Sequence, residues 1–119
     1  MANRLHGYHL LLDGAGVRRS DEDVRRFLAR AVHATGLTKI ADPLVIESHD
    51  QVVGFVVIAE SHVSIHIRAD IAFADVFSCR PFRWVKVLEL AREIFDGSWR
   101  SDYFERSEHA WARTARIAR

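Results

Sequence analysis

The sequence predicts an α+β fold: a two-layer sandwich of one antiparallel sheet with helices on one face. Three observations carry this. Strand-like segments follow one another at hairpin distance through the middle of the chain. One helix with a single apolar stripe stands before that run, and a second stands after it. Helices that bracket a series of hairpins favour an antiparallel sheet covered on one side. The 119 residues suit a single domain over 1–119, and 49% of them are hydrophobic, enough for a core. That core is still small, so a dimer would bury more surface.

The first strand runs from Tyr8 to Leu12 and ends at Asp13-Gly-Ala-Gly16. His9 within it reads most simply as a strand histidine paired to backbone. Ser20-Asp-Glu-Asp23 starts a helix: the Ser20 hydroxyl can accept first-turn amides, and the acids suit the positive helix end. Val24, Phe27, Leu28, Ala31 and Val32 fall on one stripe, with Arg25, Arg26 and Arg30 off it and Gly36 as the cap. Leu44 to Gln51 is a strand running into a turn, opened by Pro43. Val52 to Ala59 follows, then Ile65 to Ile67, then Ile71 to Phe77. Pro81 falls near the first turn of a second helix, where a missing N–H costs little. Its stripe is Trp84, Val87, Leu88, Ala91, Ile94 and Phe95, and Asp96-Gly97 stops it. A last strand spans Trp99 to Phe104. The tail to Arg119 reads as a solvated helix with basic residues.

Composition excludes several classes. With 17 basic and 16 acidic residues the net charge is +1, so no global field points to nucleic acid or to a membrane surface. A single cysteine, Cys79, forms no internal disulfide and fits a cytoplasmic setting. The first residues show no signal-peptide core, and no apolar run is long enough to span a bilayer.

One stretch departs from core logic. Phe55 to Ala59 reads as a buried strand, yet Glu60, Ser61, His62, Ser64 and His66 follow at once. Buried polar groups are costly without partners, so this density at a strand end marks a site. Alternation places Ser61 on the face opposite His62, Ser64 and His66, unless the chain bends at Glu60-Ser61. Zinc held by His62 and His66 with His49 or Cys79 is a weaker reading, because the spacing matches no strong zinc signature.

Ala59-Glu-Ser-His-Val-Ser-Ile-His66 resembles the self-cleavage motif of the small prokaryotic S-adenosylmethionine decarboxylases, pyruvoyl enzymes of polyamine synthesis. Gly7-Tyr-His-Leu10 is similar to that family's Gly-x-His-Leu, and Asp75-Val-Phe-Ser-Cys79 to its Asp-x-Phe-Thr-Cys. The likeness runs from Gly7 to about Phe95. It implies an S-adenosylmethionine decarboxylase-like fold and a homodimer of processed αβ protomers. It also implies that the Ser61 hydroxyl attacks the Glu60 carbonyl, and that elimination then leaves a pyruvoyl group at position 61. The products are a β chain of 1–60 and an α chain of 61–119. The pyruvoyl cofactor would form a Schiff base with a substrate amine and draw off the electrons released with carbon dioxide. His66 matches the processing base and Cys79 the proton donor. Positioned proton transfer of this kind contributes about 10²–10⁴ in rate.

The departures from the family concern substrate. Its Thr-Trp-Pro-Glu after the processing histidine is here Ile67-Arg-Ala-Asp70. A second adenine-stacking aromatic corresponds to Glu47, and a serine to Val53. Glu47 suits a cationic group and Arg68 a carboxylate, while Asp70 stands where the resemblance places the glutamate that binds the ribose hydroxyls. The sequence thus leans to a basic amino acid, L-ornithine or L-arginine. The alternative is S-adenosylmethionine, decarboxylated for spermidine synthesis, with adenine held by Phe55, Phe73 or Trp84. A further alternative is an unprocessed, non-catalytic relative, because Val53 removes an assisting hydroxyl that Ser64 would have to replace.

Overall fold

The computed structural model describes residues 6–18 and 21–107. Six strands form one sheet: β1 (His6–Ala15), β2 (Leu44–Ser48), β3 (Gln51–Ile58), β4 (Ser61–Arg68), β5 (Ile71–Ser78) and β6 (Ser98–Ser107). Their order is β2-β3-β4-β5-β1-β6, and every pair is antiparallel. Two helices, α1 (Asp21–Thr35) and α2 (Trp84–Phe95), complete the fold. This is the predicted α+β sandwich.

Alternation divides each strand cleanly. Leu10, Leu12, Val56, Val63, Ile65, Ala74 and Val76 are buried beneath the helices. The stripe expected on α1 meets them with Val24, Phe27, Leu28 and Ala31, and α2 adds Val87, Ala91, Ile94 and Phe95. Phe27 and Phe95 join the helices with ring centroids 5.5 Å apart. Gly54 sits under α1. A Cβ there would come within 2.6 Å of Val24 and 2.8 Å of Leu28, so only glycine lets the helix lie this close to β3. Among the described residues no helix lies over the other sheet face.

Several boundaries differ from expectation. β4 starts at Ser61 instead of Ile65, because the polar residues that masked it point to the uncovered face. β6 runs on to Ser107, paired along its whole length with β1. Pro81 stands three residues ahead of α2 rather than in its first turn. Asp96 and Gly97, at φ 56° and 79°, end that helix. The Ser20 cap and the tail beyond Ser107 lie outside the described residues. Among the described residues no helix is long and apolar enough to cross a membrane.

Candidate active site

The β3–β4 hairpin turns through Ala59-Glu60, so the Glu60-Ser61 bond lies where β4 begins. The expected bend at that bond is not a left-handed one. Among the described residues the non-glycine positions with positive φ are Ala69 and Asp96, at other turns. Ser61 pairs across the sheet with Ile58 and Ser78, so parity holds from the first residue of the strand. Even so, its Oγ lies 3.2 Å from Nδ1 of His62, because the strand end leaves room for both side chains to converge.

Glu60 is held by three groups. The Thr38 N–H donates to its carboxylate at 2.9 Å and the Thr38 hydroxyl at 2.8 Å. Arg80 donates Nε and Nη2 to the same carboxylate at 3.1 and 3.0 Å. The Glu60 carbonyl oxygen, the atom on which negative charge would develop during attack by Ser61, accepts the Cys79 N–H at 3.2 Å. Cys79 follows Ser78, the cross-strand partner of Ser61, and its side chain is exposed.

On the uncovered face, Asp75 gathers a cluster. Its carboxylate accepts His9 Nε2 at 2.8 Å, His62 Nε2 at 3.3 Å and the Ser64 hydroxyl. Arg106 donates to Nδ1 of His9 at 3.3 Å and its guanidinium lies 5.3 Å from the centre of the Phe77 ring. The bland reading of His9 as a backbone-paired residue is thereby replaced by a side-chain role. Phe55 stacks on His62, 5.4 Å between centroids at 21°.

Both carboxylates are acidified. Burial pushes Asp75 upward, but the hydrogen bonds from His62, Ser64 and His9 outweigh it and hold its pKa at about 2. Burial likewise opposes, and Thr38 and Arg80 outweigh, a Glu60 pKa of about 2. Folded values below the unfolded 3.8 and 4.5 contribute stability above those values, and it is lost as pH falls toward 2. Urea midpoints are therefore expected to drop between pH 5 and 3, and Asp75→Asn or Glu60→Gln to flatten that drop. A midpoint independent of pH over this range would contradict both assignments.

The remaining expected site residues lie elsewhere. His66 is exposed and bonds Gln51 at 2.6 Å. Five residues along β4 from Ser61, it is roughly 17 Å away at about 3.4 Å per residue. The structure therefore does not bring the two together. Arg68 pairs with Asp50 at 3.1 Å near the opposite end of the sheet, Asp70 lies in the β4–β5 turn, and Glu47 faces Val52 on the edge strand β2. Trp84, the first residue of α2, stacks on Tyr103 of β6, 5.7 Å between centroids. Among the described residues no three histidine, cysteine or acidic side chains converge as a metal site. Thr38 and Arg80 were not singled out in the sequence, and Asp75 entered only as the first residue of the Asp75-Val-Phe-Ser-Cys79 motif, with no role assigned. Only Asp75 left a signal, an acid inside an otherwise apolar strand pattern.

A nucleophilic hydroxyl, an imidazole, a carboxylate behind it and an N–H on the adjacent carbonyl are the parts of a site for acyl transfer within the chain. The family profile described as S-adenosylmethionine decarboxylase matches residues 8–107. The chain belongs to the S-adenosylmethionine decarboxylase family. It is similar to the S-adenosylmethionine decarboxylase proenzyme of Hydrogenobaculum sp. (strain Y04AAS1), with 35% identity over 79 residues, 61% of this chain and 59% of the relative. The proenzymes of the same name from Aquifex aeolicus (strain VF5) and Methanococcus vannielii are each 37% identical over 79 residues, 58% and 65% of their lengths. The chain thus spans less than two thirds of each of these relatives.

Proposed function

We propose that the chain is a self-cleaving carboxy-lyase whose cofactor is a pyruvoyl group made from Ser61, and that it decarboxylates S-adenosylmethionine. The observation that carries this is the Ser61 hydroxyl beside the clamped Glu60 peptide: Oγ is 3.2 Å from an imidazole, and the Glu60 carbonyl accepts an N–H from Cys79. The cofactor would supply conjugated carbonyls that take up electrons as carbon dioxide leaves. Cys79, exposed and next to the cross-strand partner of Ser61, is the proton donor in this reading. The relatives' printed name, a decarboxylase proenzyme, supports both the precursor and the substrate.

The basic amino acid expected from Glu47 and Arg68 gives way here to S-adenosylmethionine. Arg68 is engaged by Asp50, and neither residue lies near Ser61 within one chain. An aromatic platform does lie near it: Phe55, stacked on His62 and 39% exposed, suits an adenine ring, where stacking contributes roughly 1–3 kcal/mol per base. Incubating the purified protein with carboxyl-labelled S-adenosylmethionine, ornithine and arginine tests the substrate. Label is expected from S-adenosylmethionine. Release only from ornithine or arginine would restore the basic amino acid reading.

A homodimer is part of the proposal. Leu11, Leu44, Ile46, Val53, Phe55, Val57, Ile71, Phe73 and Phe104 are all exposed, and strand register puts every one on the uncovered face. A continuous apolar sheet face of this kind is seldom left in water, and a second copy is self-complementary to it.

A further inference from the structure

We propose that His62, oriented by Asp75, is the base that starts the self-cleavage of this chain. The inference rests on the self-cleaving reading and assigns its first proton transfer. The position that matches the family's processing histidine, His66, bonds Gln51 instead. Among the described histidines His62 alone touches the Ser61 hydroxyl, at 3.2 Å.

The proton positions follow from the partners. Asp75, ionised, only accepts, so both imidazoles that reach it must carry their proton on Nε2. That leaves Nδ1 of His62 as an acceptor aimed at Ser61, and Nδ1 of His9 as an acceptor for Arg106. Each hydrogen bond in the cluster then has one donor and one acceptor. The ring is also fixed from its sides, stacked on Phe55 and tilted at 33° to Phe77 with centroids 6.2 Å apart. Asp75, His9 and Ser64 are positioning residues, since they act through the imidazole or through its carboxylate.

The step balances. The Ser61 Oγ–H proton passes to Nδ1 of His62 as Oγ bonds the Glu60 carbonyl carbon. The carbonyl oxygen takes the negative charge and keeps its hydrogen bond from the Cys79 N–H. When the carbon–nitrogen bond breaks, the proton on Nδ1 goes to the departing Ser61 amine. The result is an ester between Glu60 and Ser61, with His62 neutral again and no electron gained or lost. Glu60 stays anchored by Thr38 and Arg80 throughout, so the electrophile does not swing away.

His62→Ala is expected to slow chain cleavage by about 10²–10⁴-fold, with partial recovery in added imidazole. Hydroxylamine, which cuts esters, should release no fragments from this variant, because the ester never forms. Cleavage at the wild-type rate would overturn the proposal. So would an accumulated hydroxylamine-sensitive ester, which would move His62 to the later elimination, and so would cleavage retained in His62→Ala but lost in His66→Ala. A wild-type chain that stays whole, with or without hydroxylamine, would overturn the self-cleaving reading and this inference with it. A second readout does not need a cleaving chain. In ¹⁵N-histidine-labelled Ser61→Ala, long-range proton–nitrogen correlations should show His62 protonated on Nε2, and adding Asp75→Asn should abolish that single tautomer. An Nδ1–H form with Asp75 intact would overturn the proposal.

Discussion

Ser61→Ala is expected to leave one chain of 13.6 kDa where the natural sequence, on the proposed mechanism, gives two, and to release no carbon dioxide. The loss should be total, since one hydroxyl is asked to serve twice. In the proposed mechanism it attacks the Glu60 carbonyl, and its carbon skeleton then becomes the electrophilic group that holds substrate. The remaining parts of the site cannot substitute: His62 and Asp75 move and place a proton, and Cys79 holds the carbonyl oxygen. The fold should survive, because Ser61 is at the first position of β4 and loses one hydrogen bond, with a net contribution of about 1 kcal/mol. Intact-mass measurement and circular dichroism together check this. Two fragments from the alanine variant would sink the mechanism. A natural sequence that remains one chain would favour the unprocessed, non-catalytic relative.

Much of this arrangement was legible in the chain. Apolar stripes gave both helices, and apolar, β-branched runs gave β3 and β5 nearly in full and the middle half of β1. β4 was read short because Ser61, His62, Ser64 and His66 break an apolar run, though beyond Ser61 they break it on the uncovered face only. β6 was read short because it is an edge strand rich in charge, and its pairing with β1 is a property of the sheet and not of its own residues. Glu60, Ser61 and Cys79 were legible because local motifs carry them. The groups that complete the site were not. Thr38 and Arg80 are far from Glu60 in sequence and reach it only because the helix–strand connections converge on one end of the sheet. Asp75 and His62 meet only through the β4–β5 register, with His62 opposite Phe77 and Ser64 opposite Asp75. The match to the family motif favoured His66; the cross-strand register within one chain favours His62.

Phe73→Glu on the uncovered face is expected to separate the two activities proposed for the protein. Phe73 is 57% exposed at the centre of the apolar surface assigned to a second copy. A carboxylate forced into such an interface would cost several kcal/mol, and each 1.4 kcal/mol is about tenfold in dissociation constant. Sedimentation should therefore show a monomer, or a dimer weakened on the order of 100-fold or more. Cleavage should continue, because Thr38, Glu60, Ser61, His62, Asp75, Cys79 and Arg80 all converge within one chain. Decarboxylation should fall with the dimer. Arg68 lies seven residues from Ser61 along β4, roughly 23 Å at about 3.3 Å per residue, too far to serve a substrate at the same chain's cleavage point. The uncovered face carries both ends of β4, so the proposed dimer, with two such faces packed and their strands reversed, would bring the far end of one copy's β4 over the cleavage end of the other. A Phe73→Glu chain that stays monomeric and still decarboxylates at the natural rate would refute this division. One that fails to cleave would show that the second copy helps to build the processing site as well.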